Sequence, residues 1–520
     1  MKLTLADILA RAARWSPDKT AFSIHGEGAI TYQELFDRAT RVALRLAGHP
    51  GKHVGILLPN SIDWVVCLFG AALAGKAAVL LNTRLTTPEL VYQIDQSDTS
   101  VLMTGPLYQR DSAVLTAALR DGCPKCDAIV WWGRERPDGS VAAHAWLSAT
   151  QADATRLGPI DESSLAVLIY TSGTTSLPKG VMLSHAAITT NALLVGQAFG
   201  ATEDDRVFSA GPFAHSGGLT MHVVLSVLYG ATAYSVSYFN PAEVLDTIES
   251  NQCTIYNGIE TLFLRLLDAP DFDRKRVRSV RTGWATGSRS VLHRIADEVG
   301  MPGIIGVYGI SEAAPNVLIS HHLETPEHRL DTAGTPHPWM RARVCDPETG
   351  KPVKDGDIGE LVLCGYSLML GYYKNAEETA KALRDGWLYT GDLVRRRPDG
   401  YFEFAGRSKD IIRVGGENVS ALEVEDLLHQ VRGVAIAAVI PVEDDVYGEV
   451  PLAVIKPVNG VELKADDILR SLSGRLASYK LPRRIVFRED MPLTDSGKVQ
   501  KKQLRALVAG KPADGGAESS

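Results

Sequence analysis

A run of ten residues, TSGTTSLPKG from Thr171 to Gly180, holds the residue types that grip an anion. Glycines let backbone N–H groups turn toward a phosphate, Ser and Thr hydroxyls donate hydrogen bonds, and Lys179 brings positive charge. A plain polar surface loop is the alternative, and ten such residues in this order weigh against it. The run is not a Walker-type loop, which needs G-x-x-x-x-G-K-[ST] and a helix whose N-terminus takes the phosphate. Here Gly173 leads through Thr-Thr-Ser-Leu-Pro to Lys179-Gly180, then into Val181-Met-Leu183, an apolar strand. A motor or GTPase is disfavoured.

Other groups are silent alone. Glu312, in Tyr308-Gly-Ile-Ser-Glu312, reads by itself as a solvated loop acid. His215 stands in Pro212-Phe-Ala-His-Ser-Gly-Gly-Leu219, and an isolated histidine is more often structural than catalytic. Lys498 sits in a tail rich in Lys501, Lys502 and Arg505. Cys123-Pro-Lys-Cys126 is a single CxxC with no second pair at zinc spacing, so no metal or redox role is expected.

Elements must position these residues. Leu165–Tyr170 reads as a buried strand feeding the anion loop. From residue 30 to about 260 helical and strand-like runs alternate: Ser61–Leu73 helix, Ala77–Leu81 strand, Thr87–Gln96 helix, Val101–Thr104 strand. Such alternation predicts parallel sheets covered by helices. Residues 330–407 read as a small all-β section, with strands at Glu360–Leu363 and Tyr401–Phe404. After Arg407 another α/β pattern runs to Leu507, and 509–520 reads as a disordered tail.

The chain has 520 residues, 45% apolar, with 54 basic and 61 acidic side chains. At roughly 150 residues per domain that is three to four structural units. A net charge of −7 argues against a nucleic-acid partner, which needs a basic face. Six cysteines make no disulfide framework and suit a reducing cytosol. The longest apolar stretch, Trp64–Gly75, ends at Lys76, short of the roughly 20 residues a membrane span needs. No secretory, peroxisomal or prenylation signal is visible, so a cytoplasmic protein is expected.

TSGTTSLPKG resembles the signature of the adenylate-forming superfamily, which includes acyl-CoA synthetases, peptide-synthetase adenylation domains and beetle luciferases. Further motifs follow in the family's order: Tyr308–Glu312, Gly334-Thr-Pro336, Gly386-Trp-Leu-Tyr-Thr-Gly-Asp392, Gly406-Arg-Ser-Lys-Asp410, Gly415-Gly-Glu-Asn418 and Thr494-Asp-Ser-Gly-Lys498. The resemblance covers roughly residues 10 to 507. It implies a carboxylic acid–CoA ligase using ATP, Mg²⁺ and CoA. A carboxylate attacks the α-phosphate of ATP to give acyl-AMP and pyrophosphate, and the CoA thiol then displaces AMP.

By that resemblance, Thr171, Ser172, Gly173, Thr174, Thr175 and Lys179 hold the β- and γ-phosphates. Glu312 is the Mg²⁺ ligand, Ser311 reaches the α-phosphate, and Tyr308, with Gly309 beside it, flanks the adenine. Ala285, Thr286 and Gly287 fall where the family has its adenine wall. Asp392 takes the ribose hydroxyls, with Arg407 as a second ribose or phosphate contact. Lys498 bridges the acyl carboxylate and the α-phosphate. His215 gates an acyl pocket that also takes in Phe213, Ser216, Glu260 and Trp284. Trp284 replaces a small residue, and Glu260 stands where proline is usual, either facing solvent or reading a polar group on the substrate.

The implied fold is a large domain, 1–408, of two doubly wound α/β subdomains plus a small β-barrel. A small mobile α+β domain, 409–508, follows the hinge Lys409; it carries Lys498, and Gly415 and Gly416 wall a pantetheine tunnel. The capping box Ser420-Ala-Leu-Glu423 starts its first full helix. Lys480, Arg483, Arg484 and the basic run from Lys498 can meet CoA phosphates or be simply solvated. A separate carrier protein as acyl acceptor and a homodimer stay open. A non-catalytic nucleotide sensor is disfavoured by the intact Lys498, Glu312 and Asp392. Fatty, alicyclic or aromatic acids lead as substrates.

Overall fold

The computed structural model describes residues 3–148, 153–171, 177–407, 411–414, 417–444, 446–493 and 499–508; within it the side chains of 411, 413, 417 and 418 are not described. Ser172, Gly173, Thr174, Thr175, Lys409, Gly415, Gly416, Lys498 and the 509–520 tail lie outside these residues.

Two large sheets form the body. One has eight strands, in the order 371–372, 179–184, 165–171, 77–80, 53–57, 99–104, 128–131 and 141–142. The other has nine, in the order 335–336, 316–319, 303–309, 282–286, 255–259, 206–209, 232–235, 20–24 and 28–31. Their centres are parallel and every residue of His53–Leu57 is buried, as expected of strands covered on both faces. One edge of each is antiparallel: Lys179–Ser184 runs against Leu165–Thr171, and Asn316–Ile319 against Gly303–Gly309.

Every residue of the helix Ile62–Leu73 except Asp63 is buried, and its apolar side chains belong to the core shared with both sheets. Ser61, where the sequence starts this helix, is its N-cap, its hydroxyl accepting from the Trp64 N–H. The helix Thr87–Gln96 forms as expected, behind a capping box of Thr86 and Glu89. Ala77–Leu80 and Thr99–Thr104 match their expected strands to within two residues at the ends.

The 330–407 stretch is less uniform than its reading. It builds a five-stranded antiparallel sheet from 340–345, 358–365, 383–384, 387–396 and 402–407. However, Thr335–Pro336 joins the nine-stranded sheet, Gly371–Tyr372 joins the eight-stranded one, and Ala376–Ala382 is a helix. The C-terminal part has its own five-stranded sheet and its own cores, around Val424 and Ile455 and around Ile440 and Leu504. Ser420 caps the helix Ala421–His429, but only half of the expected box forms. Glu423 turns away from the cap to Lys480, 2.8 Å distant.

Candidate active site

A cavity of about 190 Å³ opens where parallel strands of both sheets end. Leu58 and Asn60 follow the strand His53–Leu57, and Leu81 follows Ala77–Leu80. Gly258, Ile259 and Trp284 come from the nine-stranded sheet. Crevices at the C-terminal ends of parallel strands are where α/β folds bind ligands, because the chain diverges there and leaves space. Asn60 ties the two walls together: Nδ2 donates to Gly211 O at 3.0 Å, and Oδ1 accepts from Phe213 N at 2.8 Å.

His215 lines this cavity and accepts the Gly217 N–H at Nδ1, 3.3 Å away. The glycines beside it are there for space. A Cβ on Gly218 would sit 2.1 Å from Pro212 O. Trp284 forms a second wall, its ring 3.5 Å from where a Gly217 Cβ would stand, and its buried Nε1 has no hydrogen-bond partner among the described residues.

Three pocket assignments are corrected. Phe213 is fully buried in the core, packed edge-on against Trp64 at 5.4 Å, and its neighbours Pro212 and Ala214 line the cavity instead. Strand and loop backbones alternate in direction, and the sequence did not reveal which residue of the run points inward. Ser216 also lies off the cavity, with its hydroxyl 3.2 Å from that of Ser311. Glu260 neither lines the cavity nor simply faces solvent: it turns toward the C-terminal part, 4.0 Å from His429.

The polar residues gather beside the cavity. Leu165–Thr171 delivers Thr171, and the antiparallel return brings Lys179 opposite it. Lys179 pairs with Glu378 and lies over the Tyr372 ring at 5.0 Å. Its ammonium, with that of Lys381, holds the Glu378 carboxyl down to about 2. Tyr372 Oη donates to Glu312 at 3.0 Å, and among the described residues no ion pair engages Glu312. Burial, then the Glu312 charge, keeps the Tyr372 phenol protonated far above neutrality.

Tyr308 ends deep, its Oη donating to Asp392 at 2.6 Å, while Arg407 Nε lies 3.1 Å from the other carboxylate oxygen. Burial first, then Asp392, raises the Tyr308 pKa well beyond the ordinary phenol range. Asp392 is 3% exposed, so the phenol and the guanidinium are what hold a carboxylate in that place. Ala285 and Thr286 end the strand Thr282–Thr286, with Gly287 exposed beyond it. Gly309 is packed so closely that a Cβ would stand 2.6 Å from Pro315 O.

Sequence reasoning missed Tyr372 and Glu378, which belong to no motif it singled out. It also missed Arg84, Tyr238 and Arg265 on the cavity. Thr261, Leu262 and Arg265 recur at helical spacing on one face, and that periodicity was the available signal. Burial pushes the Cys123 and Cys126 thiols up to about 12 and about 11, which makes them poor nucleophiles. No helix of the described residues is long and apolar enough to cross a membrane.

The model of the AMP-binding enzyme family matches residues 9–373, and that of the AMP-binding enzyme C-terminal domain matches 423–498. A feruloyl-CoA synthase of Amycolatopsis sp is 36% identical, covering 95% of this chain and 97% of its own. Among solved structures, the anthranilate CoA ligase AuaEII in complex with anthranoyl-AMP superposes with a TM-score of 0.89 at 27% identity, over 98% of each chain. ATP-bound MatB from Rhodopseudomonas palustris gives 0.86 at 28% identity, over 96% of this chain and 98% of that one. The ordered motifs, the two-sheet crevice and these matches agree, and the chain belongs to the AMP-binding enzyme family.

Proposed function

We propose that this chain is an ATP-dependent carboxylic acid–CoA ligase. It activates a fatty, alicyclic or aromatic acid as acyl-AMP and then passes the acyl group to the CoA thiol. The observation that carries the reading is the 3.2 Å contact between Ser216 and Ser311. It joins the loop beside the cavity to the motif that resembles a nucleotide site, so an acid's carboxylate and an α-phosphate can meet there.

In the first step a carboxylate oxygen bonds to the α-phosphorus and the bond to pyrophosphate breaks. Such chemistry needs positioning and charge neutralisation more than covalent help. Lys179, with Thr171 and the 172–175 run, holds the β- and γ-phosphates, exchanging Glu378 for them. Ser311 reaches the α-phosphate. Asp392 takes the ribose hydroxyls beside Arg407, and Tyr308 and Gly309 flank the adenine, with Ala285, Thr286 and Gly287 as its wall. Glu312 is a hard oxygen donor, unpaired by any described cation, and fits Mg²⁺. Mg²⁺ bound with ATP supplies charge neutralisation between phosphates.

In the second step the thiol sulfur attacks the acyl carbon, AMP leaves with the bonding pair, and the thiol proton passes to solvent. We place the domain boundary at 408/409, with Lys409 as hinge. Lys498 serves adenylation, and Gly415 and Gly416 wall the pantetheine tunnel. These assignments rest on motif resemblance. Phe239, Ile259 and Trp284 on the cavity wall support an apolar or aromatic acyl body, Arg84 and Arg265 give the same cavity a polar side, and relatives named as CoA ligases favour CoA over a carrier protein as acceptor. ATP and CoA are cytoplasmic supplies, and we place the enzyme there.

The test is pyrophosphate release across a panel of fatty, alicyclic and aromatic acids, followed by CoA or a phosphopantetheinyl carrier protein as acceptor. Acid-dependent release with CoA thioester as product is expected. Release indifferent to every acid would sink the reading, and acylation of the carrier alone would replace the acceptor.

A further inference from the structure

Glu260 opens the helix Glu260–Leu267 and faces the C-terminal part of the chain. The helix Ala421–His429 brings Glu425, Asp426 and His429 toward it. Of these, His429 Nε2 stands 4.0 Å from Glu260 Oε1 and accepts the Ala437 N–H at 3.1 Å. That nitrogen therefore presents a lone pair, not a proton, and burial pushes the imidazole down to about 4. Glu425 is paired with Lys501 at 2.7 Å and accepts the Val439 N–H. Asp426 accepts from Ser290 N at 3.0 Å and from Ser290 Oγ at 2.7 Å, a direct tie between the two parts of the chain.

On its own side Glu260 meets the Ser288 N–H and Arg294. Arg294 is shared with Glu298, to which it is bonded, and with Asp268, which also faces Lys456. Burial first, then Glu425, pushes the Glu260 carboxyl up to about 7. The same arrangement sets Leu493 on the cavity wall and pairs Leu493 with Val499.

We propose that Glu260 is a positioning residue for adenylation: uncharged, it accepts the docked helix Ala421–His429, and ionised, it repels Glu425 and Asp426 and favours release of the small domain. The proposal rests on the ligase reading only for which half-reaction the docked state serves. The sign follows from linkage. A carboxyl whose pKa is higher when docked gives full docking strength below its undocked value; that strength falls as pH rises to about 7 and is level above it.

The experiment compares full-length, ligand-free wild type with Glu260→Gln by hydrogen–deuterium exchange between pH 5 and 8, correcting for intrinsic exchange. The readout is protection of 289–294 and 421–429. Wild-type protection should fall about tenfold by pH 7 and then level, the partly exposed carboxyl giving less than its full shift. Glu260→Gln, an isostere that cannot ionise, should stay flat relative to it. Asp426→Asn removes a repelling charge while keeping an acceptor for Ser290, and should make the fall shallower. In parallel, the ratio of adenylate formation to thioester formation from preformed acyl-adenylate should fall over the same range in wild type alone. A glutamine variant that keeps the wild-type pH profile, or a flat wild type, would overturn the proposal. The expected protection profile with no acid activated would support the docking role and refute the ligase reading.

Discussion

Glu312 has the Tyr372 phenol beside it and, among the described residues, no paired cation, and the proposed function gives it the Mg²⁺. Glu312→Gln keeps the size and the Tyr372 hydrogen bond but offers Mg²⁺ a neutral amide. Adenylation should drop on the order of 10²-fold, as for loss of one preorganised electrostatic contact, and should need more Mg²⁺. Initial rates of pyrophosphate release across a magnesium titration check this, and an unchanged titration curve removes Glu312 from the role. Glu312 was legible because a motif surrounds it. Tyr372 was not: its partner lies 60 residues away, and the contact exists only because Gly371–Tyr372 pairs with Lys179–Ser184. Phe213 failed for a local reason, since residue type alone does not tell a core phenylalanine from a pocket one.

At the scale of elements, the turn from Pro212 to Gly218 shows how tightly a gate can be folded. The Gly218 Cα hydrogen points at a carbonyl, and Gly218→Ala would force the backbone open against the Asn60 tie. Overpacking of this kind costs about 1–3 kcal/mol. We expect a lower melting temperature and a raised KM for the acid with a smaller change in the KM for ATP. Gly217→Ala is the control, because its Cβ meets Trp284 and Met221 at ordinary contact distance. Equal effects of the two variants would show that the close approach is not what shapes the gate. The strand-and-helix alternation was readable because short, wholly buried apolar runs mark strands and longer ones mark helices. The excursions of 335–336 and 371–372 into the large sheets were not, since strands of two residues carry no period to read.

The whole molecule keeps several imidazoles out of water. Burial pushes His222 down to about 3, and His185 and His337 to about 4. A base whose folded pKa is depressed binds its proton more readily when unfolded, so stability is lost as pH falls below the unfolded value of about 6.5. For His222 the loss at pH 5 is about 2 kcal/mol. His185 and His337 each have a hydrogen-bond partner, whereas among the described residues neither His222 nitrogen has one. His222→Phe, beside Phe213, should therefore be neutral or stabilising at pH 7 and should retain more of that stability at pH 5. Urea midpoints of the large-domain transition at the two pH values measure this, and a variant as acid-sensitive as wild type would exclude His222 as a source.

Leu493 comes from the C-terminal part of the chain, yet it is a wall of the cavity. An acid can reach that cavity with least obstruction before Leu493 arrives, and once Leu493 is in place the way out is narrower. With the proposed undocking of the small domain, binding order and residence time are coupled to that one movement. On this geometry the acid's dissociation rate should be set by undocking rather than by its own grip on Trp284 and Ile259. Bulky and small acids that differ widely in affinity for the undocked protein would then leave the docked one at similar speeds.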